Sequence, residues 1–200
     1  GIIHEDIMKL DFDAMLGDQL DEMEKRGGKL RIAANLPYYI STPVIMSFLE
    51  SNLPFESMSF LVQKEVGERL AASPGSKAYG ALSLAAQYYA DVDVAFNVPA
   101  TVFMPKPNVD SVVVTLSRKK EAGPENKTDK KTFMELVRAG FANRRKTLIN
   151  SLKTNTQYPQ EMLLAMLEKA GIDPKIRAEK LTAADFARMA DALMELKEAS

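Results

Sequence analysis

Four consecutive residues, Asn35-Leu36-Pro37-Tyr38, suggest the chemistry of this sequence most directly. They follow the run KLRIAA, which is typical of a buried strand, and so place an amide, a proline and a phenol ring where that strand ends. The Asn35 side-chain oxygen and the Leu36 carbonyl could accept both N–H bonds of an amino group on an aromatic ring, and Tyr38 offers a face for that ring to stack on. Pro37 has no N–H and a fixed φ, which stiffens the turn.

This arrangement suits methyl transfer to the exocyclic amino group of adenine. The lone pair of that nitrogen is delocalised into the ring, and two acceptor oxygens would localise it toward an incoming methyl group. S-adenosylmethionine carries its own leaving group, so the reaction needs no thiol, imidazole or metal, and the chain has no Cys and a single His. The same tetrapeptide could instead be a simple turn with its tyrosines in the core, and the tetrapeptide alone does not decide between the two interpretations.

The elements that must position this segment alternate in type over the first 117 residues. Predicted strands cover residues 2–4, 30–34, 59–63, 92–98 and 110–116. Predicted helices cover residues 44–50, 64–72 and 79–89, the first opened by Thr42 as N-cap and Pro43 as first helical residue. The alternation favours an α/β fold with an open, largely parallel sheet covered by helices.

The rest of the chain predicts a small all-α domain. Residues 121–129 are polar, include Gly123 and Pro124, and indicate a linker. Helices are predicted at 130–142, 144–153, 159–170 and 183–197, with Gly171 ending the third and Thr182 capping the fourth. We therefore expect a first domain at 1–119, a linker at 120–129 and a helical domain at 130–200.

The composition limits the class of protein. Hydrophobic residues make up 46% of the 200 residues, which is enough for a real core, and no apolar run approaches the roughly 20 residues that span a bilayer. We expect a soluble, cytoplasmic protein without a structural zinc site. Residues 118–153 contain eleven Lys and Arg against four Asp and Glu. This local excess suits contact with a polyanion, although a solvated helical face would have the same composition.

Five spaced motifs carry a family resemblance over nearly the whole chain. They are NLPYYISTP, LVQKEVGERL, SKAYGALS, VFMPKPNVDS and FANRRKTLINSL, in this order. Together they resemble the ribosomal RNA adenine N6-dimethyltransferases, and in detail the bacterial enzymes that act on 16S rRNA. The resemblance implies a Rossmann-like S-adenosylmethionine-dependent methyltransferase sheet followed by a small helical RNA-binding domain. It also implies dimethylation of two adjacent adenosines in the 3′-terminal hairpin of 16S rRNA, with the small ribosomal subunit as partner and a role in its biogenesis.

The resemblance assigns roles residue by residue. Asn35 and Leu36 would hold the target amino group, Pro37 would fix the turn, and Tyr38 and Phe103 would pack on the two faces of the flipped adenine. Asp6 would accept from the adenine amino group of the cofactor, and Asn35 would also lie near the cofactor. The cations that we expect to contact RNA phosphates stand at the start of a predicted helix; they are Arg144, Arg145 and Lys146.

The sequence departs from the family in one respect. The chain contains no glycine-rich cofactor loop, so we expect the N-terminal part of the sheet to be missing, and this polypeptide to bind S-adenosylmethionine poorly and to be inactive alone. Three alternatives stay open: a macrolide-resistance type methylase of 23S rRNA, an amino methyltransferase acting on DNA or on protein glutamine, and a non-catalytic assembly factor of the small subunit.

Overall fold

The computed structural model describes residues 3–51, 53–119 and 129–199, except for the side chain of residue 13. Its strands are β1 (Leu30–Asn35), β2 (Phe55–Gln63), β3 (Ala90–Val98) and β4 (Ser111–Arg118). Its helices are α1 (Phe12–Lys25), α2 (Ser41–Glu50), α3 (Lys64–Leu70), α4 (Ala81–Tyr89), α5 (Lys130–Phe141), α6 (Leu148–Asn155), α7 (Gln160–Lys169) and α8 (Ala183–Glu198). Short 3-10 helices cover Ile7–Lys9, Ala100–Val102 and Ala178–Lys180.

The chain divides into two compact units. One consists of Gly1–Glu68 and Tyr89–Arg118 and contains the sheet, and the other consists of Arg69–Tyr88 and Lys119–Ser200 and is helical. The sequence assigned everything up to residue 119 to the first domain, whereas the structure groups Arg69–Tyr88 with the helical residues. The linker predicted at 120–129 lies outside the described residues except for Asp129.

The sheet has the strand order β1-β2-β4-β3. β1 and β2 are parallel, but β4 pairs antiparallel with both β2 and β3. The expectation of a largely parallel sheet is therefore wrong for the described strands. The physical reason is the connection between β3 and β4, which contains only the 3-10 helix Ala100–Val102 and no crossover helix of the kind that parallel neighbours need.

The core of the sheet unit lies between the sheet and α2. β2 and β4 alternate buried and less buried residues, as a half-covered sheet requires. Phe60 of β2 is fully buried and stacks on Phe48 of α2 with ring centroids 6.1 Å apart. The strands predicted at 30–34, 92–98 and 110–116 are confirmed to within two residues at each end, and the strand predicted at 59–63 is confirmed but begins four residues earlier, at Phe55. No strand forms at Ile3 and His4, and residue 2 of that predicted strand lies outside the described chain.

The helix that follows the chemical segment begins earlier than predicted. α2 starts at Ser41 with Ile40 as its N-cap residue, so Thr42 does not cap it and Pro43 is its third residue. The reason is local, because the turn closed by Ile40 N–H to Pro37 O, at 3.2 Å, runs directly into the first helical bond from Val44 N–H to Ile40 O, at 3.1 Å. The segment that contains Pro37 is therefore joined directly to β1 on one side and to α2 on the other.

Two helix ends in the second unit fall on the residues that the sequence indicates. Thr182 and Asp185 form a reciprocal capping box at the start of α8, and Gly171 takes a φ of 68° after α7. Burial alone would raise the pKa of the Asp185 carboxyl, but hydrogen bonds from Thr182 and Arg188 outweigh it and lower the pKa. These predictions of helix ends are confirmed.

One helix start in this unit was predicted wrongly. α6 begins at Leu148, after Thr147, and not at residue 144. The residues before it form a turn in which Lys146 N–H donates to Asn143 O at 3.0 Å. The three cations of the predicted RNA-binding group therefore precede the helix. Among the described residues, none of the helices is long and apolar enough to cross a membrane.

Candidate active site

The segment Asn35-Leu36-Pro37-Tyr38 leaves the sheet at the carboxyl end of β1. Asn35 is the last residue of the strand and pairs with Leu61 of β2. Leu36 N–H continues the ladder by donating to Leu61 O at 3.3 Å, and its side chain is buried. The chain then turns at Pro37. The Asn35 side chain is exposed, and the backbone that carries it is fixed by strand pairing before it and by the Leu36 hydrogen bond after it.

A cavity of about 320 Å³ opens beside this segment. Its lining joins the predicted residues of two distant motifs and consists of Asn35, Leu36, Pro37, Tyr38, Phe103, Pro105 and Pro107. The structure therefore brings together all five residues that the sequence predicted as catalytic. A cavity of this size and mixed lining is at the lower end of the range for small-molecule sites.

The lining is almost uncharged. None of its residues is ionisable apart from the phenol of Tyr38, and within the described chain neither the Asn35 amide nor the Leu36 carbonyl has a hydrogen-bond partner. Flat apolar surfaces with free acceptors suit a neutral ring that carries an amino group. A charged substrate group would find no counter-ion among these residues.

The loop between β3 and β4 carries Phe103 to the cavity, and Asp110 holds that loop at its base. The Asp110 carboxylate accepts from Ala100 N–H at 2.9 Å, and its backbone carbonyl accepts from Lys64 N–H at 3.0 Å. One residue therefore joins the end of the loop to its beginning and to the start of α3. Asp110 was not among the predicted site residues, although it stands in the motif VFMPKPNVDS.

Ser111 is a second residue that the sequence analysis missed. Its hydroxyl lies 2.7 Å from the Tyr38 hydroxyl, and Ser111 is fully buried at the start of β4. The contact fixes the direction of the Tyr38 ring at one side of the cavity. The signal was again the motif that ends in Asp-Ser, because Ser111 begins β4 at the end of the sheet where the chain leaves β1 toward Tyr38.

Asp6 does not line this cavity. It caps the 3-10 helix Ile7–Lys9, accepts from Met8 N–H at 3.0 Å and is exposed. Its second carboxylate oxygen has no hydrogen-bond partner among the described residues and could accept from an amino group. The predicted contact between Asp6 and the cofactor stays a prediction, and an exposed carboxylate is compatible with it.

The three predicted RNA-binding cations differ in their surroundings. Arg144 Nη2 donates to Lys77 O at 2.9 Å and to Tyr79 O at 3.1 Å, so this guanidinium holds the backbone of the SKAYGALS motif. Lys146 Nζ contacts the Thr154 hydroxyl at 3.4 Å. Arg145 is exposed and has no hydrogen bond or ion pair within the described part of the chain. Arg145 is therefore the cation most available to a phosphate.

The SKAYGALS motif has a structural explanation inside the helical unit. Tyr79 is buried, its hydroxyl donates to Leu181 O at 2.8 Å, and its ring meets Phe141 edge-on at 5.9 Å. Burial, with a smaller contribution from Asp185, raises the pKa of Tyr79 to about 12. In residues 3–51, 53–119 and 129–199, no three His, Asp or Glu side chains come together as a metal site would require.

Comparison with known proteins places the chain. A family model described as ribosomal RNA adenine dimethylase matches residues 1–195. Ribosomal RNA small subunit methyltransferase A of Ligilactobacillus salivarius is 46% identical over 98% of this chain and 65% of its own length. The protein of the same name from Geobacillus thermodenitrificans is 44% identical over 98% of this chain and 66% of its own length. The chain thus spans slightly less than two thirds of these curated relatives.

Solved structures agree with this placement. A dimethyladenosine transferase from Plasmodium falciparum has a TM-score of 0.70 and 27% identity, over 84% of this chain and 66% of that one. The 23S rRNA methyltransferase ErmE has a TM-score of 0.59 at 16% identity, over 90% of this chain and 78% of that one, a likeness of fold alone. The sheet and helices are those of a Rossmann-like methyltransferase. The chain belongs to the ribosomal RNA adenine dimethylase family. Membership implies a methyl donor of the S-adenosylmethionine type.

Proposed function

We propose that this chain carries the site at which methyl groups are transferred from S-adenosylmethionine to N6 of two adjacent adenosines in the 3′-terminal hairpin of 16S rRNA, giving N6,N6-dimethyladenosine during biogenesis of the small subunit. The observation that carries this proposal is the cavity without acidic or basic side chains that Asn35, Tyr38 and Phe103 line together, the Asn35 amide having no hydrogen-bond partner among the described residues. The names of the relatives at 44–46% identity support the small-subunit RNA as substrate. The likeness to ErmE is much weaker and concerns the fold.

The residues of this chain would act on the adenine in three ways. The rings of Tyr38 and Phe103 offer apolar faces for an extruded base, and such stacking offsets the few kcal/mol that unstacking costs. The Asn35 side-chain oxygen and the Leu36 carbonyl accept the two N–H bonds and stabilise the positive charge that develops on N6. Pro37, the Ile40 to Pro37 hydrogen bond and the Leu36 to Leu61 hydrogen bond keep both acceptors in place.

The methyl donor fits what these residues offer. When bound, S-adenosylmethionine supplies an electrophilic methyl group on a sulfonium. Asp6 and Asn35 are the residues of this chain that would hold it, since Asp6 keeps one free carboxylate oxygen and the Asn35 amide has no other partner among the described residues. A carboxylate and an amide are suitable acceptors for the amino groups of an adenosine derivative.

The test is a methylation assay on unmethylated 30S subunits with labelled S-adenosylmethionine. The enzyme is a chimera in which this chain replaces the matching part of the Ligilactobacillus salivarius relative, and the digested RNA is examined for N6,N6-dimethyladenosine. Asn35→Ala should lower the rate by about 10²–10³-fold, the usual effect of deleting one preorganised polar group at the reacting centre. Asn97→Ala, which alters an exposed amide of β3, is the matched control and should leave the rate unchanged.

Two results would contradict the proposal. Full methylation by the Asn35→Ala chimera would show that this amide does not act on the amino group. A chimera that binds 30S subunits but forms no dimethyladenosine, with or without Asn35, would favour a binding factor that assists subunit assembly.

A further inference from the structure

The surface around the cavity carries an unusual set of exposed apolar side chains. Of the large apolar residues that the structure describes, the three most exposed are Met104 at 98%, Tyr39 at 85% and Val102 at 64%. Each is a chain neighbour of a residue that lines the cavity, namely Phe103 or Tyr38. Isolated exposed apolar residues are common, but here the most exposed ones gather at one place. We call Tyr39, Val102 and Met104 the rim residues.

The backbone that presents the rim residues is held firmly. Tyr39 sits in the turn closed by Ile40 N–H and Pro37 O, and Ser41 Oγ donates to Tyr38 O at 3.2 Å. Met104 and Val102 stand in the loop that Asp110 closes through Ala100 N–H. Neither the Tyr39 ring nor its hydroxyl has a partner within the described residues. A rigid backbone that offers an unpaired apolar side chain is what a stacking platform requires.

The charges around the cavity favour a polyanion as occupant. No Asp or Glu occurs in residues 35–49 or in residues 99–109, and Lys106 stands exposed between two prolines of the lining. The molecule that binds at the rim must also be covalently connected to the group that enters the cavity. In the proposed function an adenine enters the cavity. The nucleotides before and after it are covalently linked to it and therefore lie near the rim, because successive nucleotides are only about 3.4 Å apart along a stacked strand.

We propose that Tyr39 and Met104 bind the bases of the nucleotides that flank the target adenosine, Tyr39 by stacking and Met104 by thioether contact with a base. The inference rests on the proposed function and extends its site from one nucleotide to three. It makes the rim a part of substrate selection, because a target without stackable neighbours loses these contacts. Flanking bases held at the rim also keep the extruded adenosine from returning to its stack.

The test measures binding of short single-stranded RNAs to the 200-residue chain at one fixed ionic strength. One RNA has a single central adenosine with a guanosine on each side and uridines elsewhere, and a second RNA has abasic sites in place of the two guanosines. The wild-type chain should bind the guanosine-flanked RNA at least about fivefold more tightly than the abasic-flanked RNA. The variant Tyr39→Ala/Met104→Ala should bind both RNAs equally, with the affinity that the wild type shows for the abasic-flanked RNA.

Leu164→Ala removes an exposed apolar side chain from α7 of the other unit and is the matched control. It should keep the wild-type preference for guanosine flanks. Because Tyr39 and Met104 are exposed, the double variant should unfold at the same urea concentration as the wild type, which separates a binding effect from a folding effect.

Two outcomes would overturn the inference. In the first, the double variant retains the wild-type preference, so the rim does not touch the flanking bases. In the second, an abasic site in place of the central adenosine leaves wild-type binding unchanged, so no base enters the cavity. The second outcome contradicts the proposed function as well, whereas the first leaves it intact.

Discussion

The hydrogen bond between Tyr38 and Ser111 allows a quantitative test of how the cavity is held. Tyr38→Phe keeps the ring and removes the hydroxyl, which leaves the fully buried Ser111 Oγ without a partner. An unsatisfied buried hydroxyl costs about 1–3 kcal/mol, so we expect a loss of roughly 1.5 kcal/mol in the free energy of unfolding. Ser111→Ala leaves the partly exposed Tyr38 hydroxyl, which water can reach, and should cost only about 1 kcal/mol.

The double variant Tyr38→Phe/Ser111→Ala should be little worse than Tyr38→Phe alone. Once both hydroxyls are gone no group is left unpaired, so the losses should fall short of additivity by about 1 kcal/mol. The assay is urea unfolding followed by circular dichroism, with equal slopes required for all variants. Tyr39→Phe removes an exposed hydroxyl with no partner among the described residues, and should change stability by less than about 0.5 kcal/mol.

The same variants separate stability from function. Tyr38→Phe keeps the stacking face and should bind adenosine-containing RNA within a few-fold of wild type, whereas Tyr38→Ala should lose about 1–3 kcal/mol of binding free energy. Losses that add within about 0.5 kcal/mol in the double variant would refute the coupling. The position of the ring would then depend on packing alone.

Three further predictions concern other parts of the chain. Gly67→Ala should lower the free energy of unfolding by about 1–3 kcal/mol, since a Cβ there would collide with a Val112 methyl group. In the Val112→Ala background the same substitution should cost less, as measured by urea unfolding, and an equal cost would contradict the proposed collision. Because the pKa of Asp185 is lowered in the folded protein, its contribution to the free energy of unfolding is present above about pH 4 and is lost below that pH. Asp185→Asn should therefore flatten the acid side of a plot of stability against pH, and an unchanged plot would contradict this prediction. Arg144→Ala should lower the free energy of unfolding by roughly 1 kcal/mol, because its two hydrogen bonds to backbone carbonyls are lost. Arg145→Ala should leave the free energy of unfolding unchanged and should reduce the salt dependence of RNA binding by about one phosphate contact. Equal stability of the two variants would contradict this distinction.

Much of the local structure follows from short stretches of sequence. Thr182 and Asp185 cap α8, and Gly171 ends α7, because these residues bond or bend the backbone within a few positions of themselves. The turn at Pro37 likewise depends on a proline that cannot extend the ladder of β1. Four of the five predicted strands formed, and in β2 and β4 the apolar residues are buried mainly on one face.

The errors have two sources: one is a local turn, and the others are features that depend on remote residues. Thr42 has the side chain of an N-cap, but α2 begins earlier because the turn at Pro37 runs directly into it. Alternating strands and helices favoured a parallel sheet, yet β4 returns antiparallel through a connection that has no crossover helix. Arg144 belongs to a basic run, and only the fold shows that two carbonyls of a segment far away in sequence occupy part of its guanidinium.

The sequence by itself suggested the chemical type of the site, because an amide, a proline and two aromatic rings on which a base can stack occur in its motifs. It also determined the family, through five motifs in a fixed order. Only the tertiary structure showed that Phe103 and Asn35 line one cavity, that Asp110 and Ser111 make the hydrogen bonds beside it, and that the most exposed apolar residues are chain neighbours of its lining. The physical reason is strand pairing: β4 places residues 35–38 and 99–111 at the same end of the sheet, and that pairing depends on contacts between residues far apart in the chain.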